Sequence, residues 1–195
     1  MPNKGFLLVF MNPPPAFEEE FNAWYDTEHI PERLAVPGIL TGLRYISTGA
    51  APRYLAIYDL AAPEIMDSPD YRRVAFENSS PWTKRVTARA RVQRHAGEQR
   101  YPGDRITGGA ARVTVMRFRA LSGAAVGTTS DAVRRCVEEQ RGVRQLRILV
   151  DSSGAAGADL LAVVEAAVPL SEPLDLSALG ESAGALDLVN TYTPF

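Results

Sequence analysis

The chain has one cysteine, Cys136, and two histidines, His29 and His95, among 195 residues. A lone cysteine excludes an intrachain disulfide and fits a reducing compartment. One Cys and two His cannot build a metal site of the Cys/His cluster type. Charge of one sign is lacking too: the formal net charge is −2, so no global positive field holds nucleic acid or an anionic membrane. No apolar run approaches a membrane span of about 20 residues, and residues 6–11 are too short for a signal-peptide core with a cleavage site. A Gly-rich phosphate loop, a Gly-x-Ser-x-Gly elbow and a His-Glu-x-x-His pair are likewise absent. These absences point to a cytoplasmic protein with no nucleic-acid or membrane partner and no metal.

What is present has an ordinary globular composition, 46% hydrophobic and 23% charged,. Phe6-Leu7-Leu8-Val9-Phe10 reads as a strand buried on both faces,. Asn12-Pro13-Pro14-Pro15 stops it, and Glu18, Glu19 and Glu20 mark the first turn of a helix, where the macrodipole favours acidic charge,. That helix is predicted to end near Ile30, because Pro31 disfavours helical geometry in the residue before it,. Residues 39–46 and 54–60 read as strands, residues 63–76 as a short helix broken at Ser68-Pro69, and residues 86–95 as a fourth, alternating strand,. The order is β-α-β-β-α-β, the ferredoxin-like unit.

The order then begins again. Residues 113–118 read as a strand and 130–140 as a helix, with Ser130 or Thr128 as N-cap and Gly142 just past its end,. Residues 143–150 and 160–168 follow as strands, 174–179 as a helical turn and 186–192 as the last strand. Leu55-Ala56-Ile57-Tyr58-Asp59-Leu60-Ala61-Ala62-Pro63 resembles Leu161-Ala162-Val163-Val164-Glu165-Ala166-Ala167-Val168-Pro169. Upstream, Gly38 and Gly142 each lead into a strand carrying Leu-Arg, at Leu43-Arg44 and Leu146-Arg147. Matches in order and at similar spacing indicate a duplication. The fold class is therefore α+β, two tandem ferredoxin-like halves at residues 1–96 and 111–195, joined by a linker over 97–110. Helices cover one face of each sheet, so the second apolar faces are expected to pack sheet to sheet around a central cavity or core.

Phe21-Asn22-Ala23-Trp24-Tyr25-Asp26-Thr27-Glu28-His29-Ile30-Pro31-Glu32-Arg33-Leu34, followed by Val36-Pro37-Gly38, resembles the first helix and turn of the dimeric α/β-barrel superfamily, EthD-like branch. Ser80-Pro81-Trp82-Thr83 is similar to a segment of its uncharacterised bacterial members. The resemblance covers residues 5–95 and implies an intrachain dimeric α/β barrel. Family activities range over cofactor-free monooxygenases, cyclases, isomerases, dehydratases, decarboxylases and haem enzymes, so it implies no single reaction. It does imply that His29 faces a pocket and works in acid/base chemistry. The second helix lacks both a histidine and an aromatic pair, so one site per chain is expected.

On a helix turning about 100° per residue, Phe17, Phe21, Trp24 and Glu28 share a face, and Tyr25 and His29 form a neighbouring stripe that leads to Arg33,. His29 has a reference pKa near 6.5, suited to proton transfer, and Glu28 or Asp26 could orient its ring. The plainer reading is a half-exposed histidine at a helix end, with Glu28 paired to an arginine. Trp24, Tyr25, Tyr58 and Trp82 are candidate pocket walls, and Arg44 is a candidate for an anionic substrate group; each is also ordinary core or surface material. The basic residues Lys84, Arg85, Arg89, Arg91 and Arg94 read as a solvated face,. The function expected is a cofactor-independent lyase or isomerase acting on a small aromatic or polyketide-like compound, with His29 as general acid/base and Glu28 beside it. The alternative is a non-catalytic ligand-binding or stress-associated protein. In either case the partner is a small molecule, and the chain is a monomeric pseudo-dimer or a homodimer.

Overall fold

The unbroken apolar run near the start of the chain has two dry faces to fill. In the computed structural model, which describes residues 3–170 and 174–195, it forms β1 (Gly5–Asn12). Phe6, Leu8 and Phe10 join a core shared by strands of both halves. Leu7, Val9 and Met11 face the opposite way, under the helices of the first half. Successive side chains of a strand alternate between faces, so a run buried on both sides needs no polar residue.

β2 (Ile39–Ser47), β3 (Tyr54–Leu60), β4 (Arg91–Tyr101), β5 (Arg112–Leu121), β6 (Val143–Asp151), β7 (Ala158–Ala166) and β8 (Leu186–Pro194) complete a closed barrel in the order β1-β3-β2-β8-β5-β7-β6-β4. Every neighbouring pair is antiparallel. The first half stands as β4-β1-β3-β2 and the second as β8-β5-β7-β6, the same order counted from the start of each. Short seams join them: Tyr45, Ile46 and Ser47 against Pro194, Thr193 and Tyr192, and Glu98, Gln99 and Tyr101 against Val150, Leu149 and Ile148. The barrel thus closes within one chain.

The turns into β2 and β6 are built alike. Gly38 (φ 93°) and Gly142 (φ 87°) lie in the left-handed region. Their carbonyls accept hydrogen bonds of 2.8 Å from the amides of Ala61 and Ala167. The Ile65 and Val168 side chains lie 2.4 and 2.5 Å from where a Cβ would stand. Only glycine fits either position.

Apolar side chains fill the middle of the barrel, and a pocket of about 220 Å³ opens at one end beside Phe10, Gln93, Arg117 and Leu188. In the middle, Phe6, Leu8, Phe10, Tyr45, Leu55 and Ile57 meet Val113, Val115, Leu149, Leu161, Val163 and Tyr192. A polar cluster closes the other end: the wholly buried Arg147 donates to Asp59 (2.6 Å) and Thr107 (2.8 Å) and lies 3.3 Å from Glu165. The connection into β5 lies across this end, its Thr107 and Gly108 amides donating to Asp59 and Glu165 at 2.7 and 2.8 Å. Elsewhere in the barrel Arg117 grips Asp187 at 2.8 and 2.9 Å, while the His95 ring stands 3.4 Å from Asp151.

Three sequence expectations need correction. Residues 86–95 are not one strand: α4 (Pro81–Arg89) precedes β4, and residues 97–101, placed in the linker, continue the strand. Ser80 caps α4, its Oγ accepting from the Thr83 amide at 2.9 Å, and Pro81 opens the helix,. β4 also turns two polar residues, Gln93 and His95, toward interior residues of the barrel. Gln93 reaches Arg117 and His95 packs edge-on against Phe10, whereas Val92 and Ala96 lie against the helical core. The helix expected over 130–140 is α5 (Gly123–Val137), capped by Ser122, because burial of Thr129, Ala132, Val133, Cys136 and Val137 outweighs the poor propensity of Gly123 and Gly127,. The other elements lie near their expected places. α3 (Pro69–Arg73) follows a 3-10 turn at Pro63–Asp67, and a 3-10 segment at Ser177–Ala185 stands for the last helical turn. Among the described residues no helix is long and apolar enough to cross a membrane.

Candidate functional site

The first helix does not stop at Ile30. α1 (Glu18–Trp24) passes through a π-turn at Tyr25–His29 into α2 (Ile30–Leu34), which carries Pro31 in its first turn. A helix-interior proline has no N–H for the carbonyl four residues back, and its ring crowds that carbonyl. The π-turn loosens the helix just there: the Ile30 amide donates to the Tyr25 carbonyl, five residues back. Turns of this type recur at functional sites. Here the turn spans Tyr25-Asp26-Thr27-Glu28-His29.

The widened turn packs its aromatic side chains together. His29 lies 4.3 Å, centroid to centroid, from Trp24 and 5.2 Å edge-on from Tyr25. The Trp24 indole donates to Thr83 Oγ1 (2.9 Å), and Thr83 Oγ1 lies 3.2 Å from Glu28 Oε1, which also accepts from Ser80. Glu28 therefore fastens the π-turn to the capped start of α4. Trp82 donates to Glu20 at 3.1 Å and strengthens the same joint.

Beneath this joint lies a cavity of about 290 Å³ between the helices and the outer face of β1 and β4. Leu7, Val9, Met11 and Val92 form its apolar wall, Trp24, Tyr25 and Tyr71 its aromatic one. Its basic residues are His29, Arg33, Arg94 and Lys84, with no carboxylate among the lining side chains. Arg33 is buried, donates to the Val74 carbonyl at 2.6 Å and lies 5.3 Å from the centre of the Tyr71 ring. Arg94 donates to the Tyr71 hydroxyl at 2.7 Å.

Burial holds the His29 imidazole well below its usual pKa of 6.5, and the charges of Arg33, Arg94 and Arg44 add to the effect. The ring is therefore neutral at pH 7. Its Nδ1 is buried with no hydrogen-bond partner, a state that costs free energy unless something fills it. Burial likewise raises the Tyr25 phenol to about 12, against the pull of Arg44; its hydroxyl donates to Met11 Sδ at 3.4 Å. Tyr58 lies behind this layer, its ring 6.5 Å from His29 and its buried hydroxyl beside that of Tyr25.

Of the residues singled out in the sequence, Trp24, Tyr25 and His29 line the cavity. Glu28 and Trp82 frame it from above, bonded to α4 and α1 rather than to the His29 ring. Arg44 lies elsewhere: it pairs with Asp26 and Asn22, stacks between Tyr25 (4.5 Å) and Phe195 (4.2 Å), and lines a separate depression with Gly108, Gly109 and Ala110. Arg33 was visible in the sequence as the next step of the Tyr25–His29 stripe. Arg94 and Tyr71 were not singled out: Arg94 is exposed, as the solvated-face reading has it, but it also lines the cavity, and nothing in the sequence brings Tyr71 of α3 to it. Among the described residues no three His, Cys, Asp or Glu side chains are placed to hold a metal ion.

A closed antiparallel barrel with helices packed on its outer face is the dimeric α/β-barrel fold. No family model and no curated protein matches the chain. Solved structures do. An anthrone oxidase-like protein superposes with a TM-score of 0.68 at 13% identity, covering 100% of this chain and 92% of its own. A candidate monooxygenase from Lactobacillus acidophilus NCFM gives 0.57 at 11% identity over 99% and 93%. A variant of chlorite dismutase from Candidatus Nitrospira defluvii gives 0.53 at 9% over 100% and 93%. At such identities the likeness establishes the fold alone.

Proposed function

We propose that the chain is a small-molecule enzyme of the cofactor-independent lyase or isomerase kind, with His29 as its general acid/base. The observation that carries this reading is the buried, unpartnered Nδ1 of a neutral imidazole in the wall of a cavity. A neutral imidazole accepts a proton; an imidazolium cannot. The substrate class is an aromatic or polyketide-like compound with an acidified C–H next to a carbonyl, suited to walls of Trp24, Tyr25 and Tyr71,. His29 takes the proton from carbon, and Arg33 and Arg94 stabilise the negative charge that develops on the carbonyl oxygen. Return of the proton to another carbon completes an isomerisation, and loss of a leaving group completes an elimination. Because the pKa of His29 is depressed, it is a weak base, and the guanidinium groups have to acidify the substrate in compensation. Glu28 acts here through position, holding the π-turn against α4.

The test is hydron exchange. The protein is incubated in deuterated water with 2-tetralone and with anthrone, and the label gained at the acidic carbon is measured by mass spectrometry. Wild type should exchange at least one candidate well above background, and His29→Gln should return it to background. Equal exchange by both proteins would refute the role of His29. Trapping of the same carbanion by dioxygen would make the site an oxygenase, the class named for the Lactobacillus protein, and oxygen uptake in the same assay separates the two. A second reading, ligand binding without turnover, draws support from the depressed basicity of His29. It predicts binding of these compounds with no exchange.

We also read the chain as two tandem ferredoxin-like halves of EthD-like type. The shared strand order, the matched Gly38 and Gly142 turns, and the bulges that follow them between Ile39 and Thr41 and between Val143 and Gln145 support that reading.

A further inference from the structure

We infer that the His29 cavity takes its ligand as an anion, and that Arg33 and Arg94 bind the carboxylate of a small aromatic acid. The inference rests on the reading that this cavity is the ligand site, but not on any turnover there. Its first support is the charge of the wall: Arg33, Arg94 and Lys84 contribute three cations, and the remaining lining is apolar, aromatic, hydroxylic or imidazole. The second is how the buried arginines are partnered. Arg117 and Arg147 each hold a carboxylate, at 2.8 Å and 2.6 Å. Arg33, also buried, donates instead to a neutral carbonyl and has only a long ion pair, 3.8 Å, with Glu32, beyond hydrogen-bond reach. A buried guanidinium is stable when paired and costly when not. A carboxylate arriving in the cavity would supply the close, hydrogen-bonded partner that Glu32 is too distant to be, with the fork geometry that arginine favours,.

Tyr71 fixes where that group would lie. Arg33 covers its ring and Arg94 holds its hydroxyl, so the two guanidinium groups bracket one side chain at one end of the cavity. Trp24, Tyr25 and His29 form another part of the wall. An aromatic acid fits with its carboxylate toward Tyr71 and its ring against Trp24. A volume of about 290 Å³ lies at the lower edge of small-molecule sites, which suits one or two fused rings. The unpartnered Nδ1 of His29 offers a further hydrogen bond to such a ligand.

The test compares two probes of one shape, 1-naphthoate and 1-naphthamide, by isothermal titration calorimetry at low salt and at 0.5 M salt. The expected result is that wild type binds the naphthoate at least tenfold more tightly, with a preference that shrinks in salt. Arg94→Gln should bring naphthoate down to the naphthamide level and leave naphthamide unchanged, and Arg94→Lys should keep most of the preference. Equal affinity for the two probes, tighter binding of the amide, or binding of neither would overturn the inference, and the wild-type comparison needs no variant to fold. Arg33→Gln is read only if its melting curve matches wild type, since Arg33 also holds the Val74 carbonyl. The fate of the proposed reaction is separable. If exchange vanishes in His29→Gln while the two probes bind alike, the anion site fails and the catalytic reading survives. If the Arg94-dependent preference holds while exchange never depends on His29, the reverse is true.

Discussion

Replacing His29 with Gln should change how stability depends on pH, with a magnitude that can be worked out. In the unfolded chain the imidazole titrates near 6.5. In the fold, burial first and then the charges of Arg33, Arg94 and Arg44 hold it well below that value. As the pH falls through 6.5 the unfolded state takes up a proton that the folded state refuses. Wild type therefore loses stability from about pH 6.5 downward, and the loss ends only when the folded ring is protonated too. Integrated from pH 7.5 to 5.5, the loss is at most about 1.4 kcal/mol, the limit set by titration of the unfolded imidazole alone. A neutral glutamine has no such dependence. At pH 7.5 the variant should be less stable by about 1 kcal/mol, from the lost ring contacts with Trp24 and Tyr25,. At pH 5.5 that gap should close or reverse. Urea unfolding of both proteins at the two pH values reads the effect as a relative midpoint shift of at most roughly 0.5–1.4 M. Carboxyl groups that titrate in both proteins cancel in the difference, the raised Glu32 and Glu165 among them. A gap of the same size at both pH values would refute the claim that the fold keeps His29 neutral.

Thr83→Val removes the partner of the Trp24 indole and the link to Glu28; a cost of about 1–3 kcal/mol in urea unfolding is expected for leaving a buried donor unsatisfied. Arg147→Ala strands the buried Asp59 and Glu165 carboxylates and should cost about 3–5 kcal/mol in the same assay. Gly127→Ala lies in the exposed face of α5, where an added Cβ meets nothing within 4 Å. It should stabilise by about 0.5–1 kcal/mol, while Gly142→Ala, at φ 87° with Val168 at 2.5 Å, should destabilise.

Much of the fold was legible in the sequence because it rests on local patterns. Residues 6–10 read as a doubly buried strand from their unbroken apolar character. The turns at Gly38 and Gly142 were legible because only glycine satisfies them. The strand at residues 54–60 appeared with its bounds intact. Where two patterns competed, the reading failed. Ser80-Pro81 carries a helix start, yet the alternation after Val86 reads as strand, and the helix wins because Val86 and Thr83 are buried. Pro31 marked a helix end by its intrinsic preference, but the π-turn removed the clash on which that preference rests. In the second half, the helix start at Ser122 was obscured by Gly123 and Gly127, whose weak propensity is overridden by packing. The candidate site was half visible: the Tyr25, His29 and Arg33 stripe, with Trp24 on the neighbouring face, follows from helical spacing. Arg44 is a candidate for an anion from sequence, and only three-dimensional placement shows it held by Asp26 and Asn22.

The central claim is that a small aromatic ligand occupies the cavity beside His29. It is tested most directly by methionine methyl resonances in protein labelled with ¹³C at the methyl carbon, titrated with 1-naphthoate. Met11 lines that cavity, and Met116 is buried in the core under α5 of the other half. The account predicts a saturable, ring-current shift of the Met11 methyl, with Met116 unmoved. A Met11 resonance that stays fixed while naphthoate binds, or a shift at Met116 instead, would place the ligand elsewhere and contradict the account.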